Sequence, residues 1–144
     1  MIEIDRLDPQ SWAKLSENAH LISFGTHKPA DWDRIDFALL SKKGGQLLGY
    51  ITCQEHNSHT VYWQFGGTFP GAIETSLSWQ AYHAAVEWTR KRYKRIWTLI
   101  ENDNTVMLKM AMKVGFRVMG VRTHVTKEKT TILLEHVLEF ENGN

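Results

Sequence analysis

Thiols are almost absent from this 144-residue chain: Cys53 is the only cysteine. One cysteine closes no internal disulfide, so a reducing, cytoplasmic location is expected. Cys53 sits in a strand-like run and reads as a small core residue rather than a nucleophile. An excess of charge is absent too. Seventeen Lys and Arg against sixteen Asp and Glu leave a net charge of +1, which gives no whole-molecule attraction to nucleic acid or to an acidic membrane. No apolar run approaches the length that spans a bilayer. The opening Met1-Ile-Glu-Ile-Asp-Arg is acidic and alternating, unlike a signal peptide. No repeat, low-complexity tract or linker interrupts the chain, and its length suits one domain over residues 1–144.

What remains is an ordinary globular composition, 42% hydrophobic, with six Trp that belong mainly in a core. Met1 to Asp5 reads as a strand. Asp8 and Pro9 suit the start of a helix whose apolar face holds Trp12, Leu15 and Ala19. Ser23 to Asp33 reads as a loop. Strands follow at Ile35 to Leu40, Gln46 to Gln54 and Thr60 to Phe65, separated by the turns Lys42-Lys-Gly-Gly and His56-Asn-Ser-His. Gly66 and Gly67 end the third of these. An irregular stretch from Thr68 to Thr75 precedes a helix over Leu77 to Arg92, with Leu77, Ala81, Ala84, Ala85 and Trp88 on its buried face. Arg95 to Glu101 is a strand. Phe116 to Thr126 and Thr130 to Phe140 form a last hairpin, and Glu141 to Asn144 is a frayed tail.

The densest information lies in Asn104 to Gly120, NTVMLKMAMKVGFRVMG. Met107, Leu108, Ala111, Met112 and Val114 recur at spacings of three and four, one helical face. Asn102, Asp103 and Asn104 offer caps at its start. Gly115 stands where a helix ends in left-handed geometry, and a strand begins at once with Phe116.

This segment resembles the penultimate helix of the GNAT acyltransferase superfamily, whose common form is Asn, seven residues to a Tyr, then Lys, any residue, Gly-Phe. Asn104, Lys113, Gly115 and Phe116 fall in that register; the Tyr position holds Ala111. The order of elements resembles the GNAT fold over nearly the whole chain. The resemblance implies an α+β architecture, a mostly antiparallel sheet flanked by helices. It also implies N-acyl transfer, with acetyl-CoA or a related acyl-CoA as co-substrate and an unidentified amine, on a small molecule or a protein, as acceptor.

In that family the cofactor lies where the fourth and fifth strands part, and a glycine-rich loop presents N–H groups to its pyrophosphate. A helix N-terminus does this because its first N–H groups are unpaired and its dipole end is positive. Here the corresponding region is Gly66 to Trp79. No Arg or Gln opens it, and the Gly-x-Gly pair is missing. Counting from the helix places the two glycine positions at Ser76 and Ser78, whose hydroxyls can donate; counting from Pro70 and Gly71 places them near Ala72 and Glu74. We adopt the Ser register. The implied cofactor-binding residues are then Gly66, Gly67, Thr68, Thr75, Ser76, Leu77, Ser78 and Asn104. Thr75 or Ser76 equally suits a plain helix cap.

Direct attack by a neutral amine needs oxyanion donors, a base, and help for the departing thiolate. Gly66 and Gly67 could supply donors. Tyr62 and Glu101 are the catalytic candidates, with Glu55 a further base; Gln64, an amide, cannot serve. Tyr62 or Tyr82 could stand in for the acid absent at Ala111. A GNAT-like domain without catalysis, acting as a binding or regulatory protein, stays open beside the enzyme.

Other groupings carry less. His56 and His59 flank a turn and make at most half of a zinc site, so no metal is assigned. His20, His27, His83, His124 and His136 are scattered. Arg90 to Arg95 is a basic run that suits the C-terminal turn of a helix more than a nucleic-acid patch. Trp63 and Trp79 flank the expected cleft. The acceptor segments, Ser23 to Asp33 and Val125 to Thr131, hold no readable motif. Edge strands of the last hairpin leave a homodimer open without demanding one.

Overall fold

Two adjacent glycines set the first hairpin. Gly44 (φ 56°) and Gly45 (φ 85°) take left-handed conformations, the primed-turn geometry that matches strand twist. The computed structural model describes residues 1–15, 34–73, 75–123 and 130–137. In order these form β1 (Glu3–Leu7), β2 (Phe37–Lys43), β3 (Gln46–Glu55), β4 (Thr60–Thr68), α1 (Ser76–Arg90), β5 (Arg95–Glu101), α2 (Thr105–Lys113), β6 (Arg117–Thr123) and β7 (Thr130–Val137). Residues 9–15 are also helical. The expected loop 23–33, His20, His27, Glu74, the hairpin tip 124–129 with His124, and the tail all lie outside the described residues.

The seven strands make one sheet in the order β1-β2-β3-β4-β5-β7-β6. Every neighbouring pair is antiparallel except β4 and β5, which run parallel. One face buries Phe37, Leu39, Cys53, Val61, Ile96 and Leu134 against Tyr82, Ala85 and Val86 of α1 and Ala111 of α2. The other packs Ala38, Leu40, Tyr50 and Phe69 against Trp12. The α+β architecture expected from the sequence is the one observed. Cys53 is fully buried, and burial pushes its thiol up, away from the reactive thiolate.

Three local expectations need correction. Gly66 and Gly67 do not end their strand. They pair with Ile51 and Tyr50, and β4 runs on to Thr68. The buried face of α1 is Ala81, Tyr82, Ala85, Val86 and Thr89, rotated from the expected stripe because Tyr82 goes inward. On α2, Ala111 is buried and Met112 is 55% exposed, so the apolar face turns past Met112 towards Met110.

The turn after α2 is as expected: Gly115 has φ 112°. His136 of β7 lies behind it, with Nε2 donating to the Val114 carbonyl at 3.0 Å. Its Nδ1 is buried with no partner among the described residues. Burial, partly offset by that bond, holds the imidazole below its ordinary pKa of 6.5. The unfolded chain therefore takes up the proton first on acidification. The stability that neutral His136 contributes is complete above about pH 6.5 and declines as the pH falls from there to the folded value. We expect His136→Phe to flatten this slope in urea unfolding followed between neutral and mildly acidic pH; an unchanged slope would mean the imidazole titrates elsewhere.

Candidate active site

The parallel joint between β4 and β5 is short. It holds Thr60↔Arg95, Val61↔Ile96, Tyr62↔Trp97 and Trp63↔Thr98, and no further rung. β4 continues to Thr68 and β5 to Glu101, so the two strands part beyond Trp63. The cause lies on the opposite edge of β4. Its register with β3 slips between Thr52 and Cys53, leaving Gln64 as an extra residue between Trp63 and Phe65. Such a bulge bends the strand that carries it. Thr52, fully buried, secures it: its Oγ1 accepts from Phe65 N at 3.1 Å. Thr98 closes the last rung by donating to the Trp63 carbonyl at 3.0 Å. Neither threonine stood out in the sequence, although a hydroxyl between Ile51 and Cys53, and another between Trp97 and Leu99, breaks an apolar run.

Phe65 N–H addresses β3 through Thr52, and Phe69 N–H addresses the Leu48 carbonyl. Backbone alternation then turns the N–H and C=O of Gly66 and Thr68 to the other side, where β5 has left. A cleft of about 760 Å³ opens there. Its lining includes Trp63, Tyr82, Asn104 and Met107 together with Tyr62, Gln64, Leu99 and Glu101. A narrower apolar crevice of about 90 Å³ meets it at Gly66 and Tyr82. It runs past Gly67 and Thr68 to Ser78 of α1, under Met107 and Met110.

The sequence-assigned residues distribute as follows. Gly66 lines both spaces, Gly67, Thr68 and Ser78 the crevice, and Tyr62, Glu101 and Asn104 the cleft. Thr75 is the N-cap of α1: its Oγ1 accepts from Leu77 N at 3.2 Å and donates to the Ala72 carbonyl at 2.7 Å. Ser76 opens the helix, and its Oγ accepts from Gln80 at 3.3 Å. Leu77 packs with Leu48, Ala72 and Ala81, a supporting position. The first turn of α1 carries no acidic residue. Asn104 caps α2, its Oδ1 accepting from Met107 N at 3.2 Å. Tyr62 is stacked on Trp97 at 4.0 Å, with the His56 ring against both.

Glu55 does not line the cleft. It lies towards the other end of β3, where the Tyr93 hydroxyl donates to it. Of the two tryptophans, Trp63 is a cleft wall, whereas Trp79 stacks on His83 beneath the Lys113 ammonium. The basic run is engaged locally. Arg90 pairs with Glu87, Arg92 lies over Trp88 and Arg95 faces Glu135. Among the described residues no group of three His, Cys, Asp or Glu is placed to hold a metal, and no helix is long and apolar enough to cross a membrane.

No protein-family model and no curated protein sequence matches the chain. Solved structures do. The IAA acetyltransferase from Bacillus cereus superposes with a TM-score of 0.74 at 15% identity, covering 96% of this chain and all of that one. The ribosomal-protein-S18-alanine N-acetyltransferase from Escherichia coli gives 0.74 at 10% identity, over 97% of this chain and 96% of its own. A GNAT family acetyltransferase from Elizabethkingia anophelis, solved with acetyl-CoA bound, gives 0.74 at 16% identity, over 95% and 98%. The sheet order, the single parallel joint and the parting of β4 from β5 are thus those of a known architecture: this chain has the GNAT acetyltransferase fold.

Proposed function

We propose that the chain is a GNAT-superfamily N-acyltransferase that moves an acetyl or related acyl group from acyl-CoA to an amine by direct attack. The observation that carries this reading is the opening between β4 and β5, where backbone donors and acceptors of β4 face a cleft walled on both sides. Acyl-CoA as co-substrate brings an activated thioester and an anionic pyrophosphate. The residues present fit both. The N-terminus of α1 is a positive dipole end without an acidic side chain in its first turn. Ser76 accepts from Gln80 and keeps its own hydroxyl proton to donate. The crevice from Ser78 to Gly66 is narrow and apolar, suited to a thin pantetheine arm. Its amides would pair with the outward C=O of Gly66 and the N–H and C=O of Thr68.

The acyl carbonyl then lies where the N–H of Gly66 can meet the developing oxyanion, a contribution worth about 10²- to 10³-fold for one such donor. Glu101 and Tyr62 both line this cleft. From there an amine can approach, and Glu101 takes the proton it sheds. Tyr62, stacked on Trp97, offers the acceptor a rigid ring face.

Calorimetry with acetyl-CoA tests the reading. Ser76→Glu should weaken binding by roughly tenfold, about 1.4 kcal/mol. The same change favours the helix end electrostatically, so the melting temperature should hold or rise. Asn104→Ala should weaken binding and also cost about 1 kcal/mol of stability through the lost cap. Absence of binding at millimolar acetyl-CoA would sink the proposal.

A further inference from the structure

Ala111 is wholly buried and packs with Trp63, Tyr82 and Phe116, so α2 brings no hydroxyl to the opening between β4 and β5. Two other donor-bearing side chains line it instead. Tyr82 of α1 is 8% exposed and lines both the crevice and the cleft, at their junction beside Gly66. Its hydroxyl is buried with no hydrogen-bond partner among the described residues. Trp63, 3% exposed, lines the same cleft on the last rung of the β4–β5 joint, and its indole N–H is likewise without a partner. The rings meet edge to face with centroids 5.4 Å apart. A buried donor left unpaired costs about 1–3 kcal/mol. Two such donors, on touching rings whose side chains line one cavity, are a standing cost that an acceptor reaching them from the cavity removes.

We propose that the Tyr82 hydroxyl, with the Trp63 indole N–H beside it, is the donor pair for the thioester sulfur and for the thiolate that leaves it. This rests on the acyl-transfer reading above. It assigns to α1 the place that Ala111 cannot fill from α2. The step balances simply. The amine lone pair forms the C–N bond, the C–S bond breaks with its electron pair going to sulfur, and the sulfur anion takes hydrogen bonds from Tyr82 and Trp63. The nitrogen proton passes to the base, and the thiolate is protonated by solvent once released. Burial raises the phenol above its ordinary pKa of 10.0, well above a thiol at about 8.5. Tyr82 therefore donates a hydrogen bond while keeping its proton.

The test needs no acceptor. CoA bound to the protein is titrated through the ultraviolet absorbance of its thiolate, in the wild type and in Tyr82→Phe. The bound thiol should be less acidic in the variant by about one pKa unit, a tenfold change in its ionisation constant. The ligand-free variant should melt no lower than the wild type, because the change deletes an unsatisfied hydroxyl and keeps the ring. CoA bound with the same thiol pKa in both proteins would overturn the donor role and leave the acyl-transfer reading standing. A variant that melts well below the wild type would also overturn it, by exposing a structural partner for the hydroxyl. Failure of the wild type to bind CoA or acetyl-CoA would overturn both.

Discussion

Gly66→Val should lower acetyl-CoA affinity by about 100-fold while leaving the protein folded. Gly66 is the one position that lines both the crevice and the cleft from the backbone of β4. A valine there projects two methyls into the junction through which, in the function proposed above, the pantetheine arm passes. Overpacking of a filled site costs typically about 1–3 kcal/mol, and the upper end of that range is roughly two decades in affinity. The strand itself can accept the change. A Cβ at this position meets the Tyr50 carbonyl oxygen at 3.3 Å and Ile51 Cγ1 at 3.7 Å, contacts relieved by a few tenths of an ångström. β-branched residues also suit a strand. The control is Gly120→Ala on β6, where a Cβ has nothing within 4 Å, and affinity should not change. Calorimetry beside circular dichroism separates blocked binding from unfolding. Full affinity in a folded Gly66→Val protein would show that acyl-CoA takes another route.

Gly115→Ala should be the most damaging single methyl in the described chain. Two penalties coincide there. The residue holds φ 112°, a region that a side chain rarely enters. An added Cβ would also stand 2.8 Å from His136 Nε2, the atom that donates to the Val114 carbonyl. Backbone strain of this kind costs about 1–3 kcal/mol, and displacing a buried hydrogen-bonded ring adds about 1 kcal/mol or more. A loss of about 2–4 kcal/mol lowers the melting temperature of a domain this size by about 5–15 °C. The two penalties can be parted. In Gly115→Ala combined with His136→Ala the clash is gone and the strain remains, so the pair should be strongly non-additive. Strict additivity would show that the ring and the turn do not touch.

Much of the architecture was legible because it depends on local chemistry. The Gly44-Gly45 turn, the Asn104 cap and the Gly115 stop are each decided by residues next to one another, and the hairpins and α2 followed from them. The same reasoning failed where a distant partner decides. Gly66 and Gly67 look like a strand end, but β3 supplies a ladder that carries them through. The bulge at Gln64 depends on the hydroxyl of Thr52, twelve residues away and across a strand. Glu55 looks like a base beside a central strand until Tyr93, 38 residues on, is seen to hold it. The residues proposed for the cofactor were legible as neighbours, since Gly66, Thr68, Ser78 and Asn104 line two adjoining spaces. The acceptor side was not. Tyr62 and Glu101 line the cleft, but the proposed acceptor would meet a lining assembled from residues far apart in sequence, with Leu99 and Thr131 among them.

The four rungs between β4 and β5 also have a kinetic meaning. Strands β2, β3 and β4 join as successive hairpins, and β6 pairs with β7 as another. The β4–β5 joint must instead wait until the chain has traversed all of α1. Contacts that close long loops form slowly, and with four rungs this joint is the shortest in the sheet, so we expect it to form later than the hairpins and to open before them. A ligand in the cleft where this joint ends would touch both halves of the sheet at once. Occupancy should therefore slow amide exchange in Val61, Tyr62, Ile96 and Trp97 more than in the hairpins on either side, binding acting as a clasp on the shortest joint of the sheet.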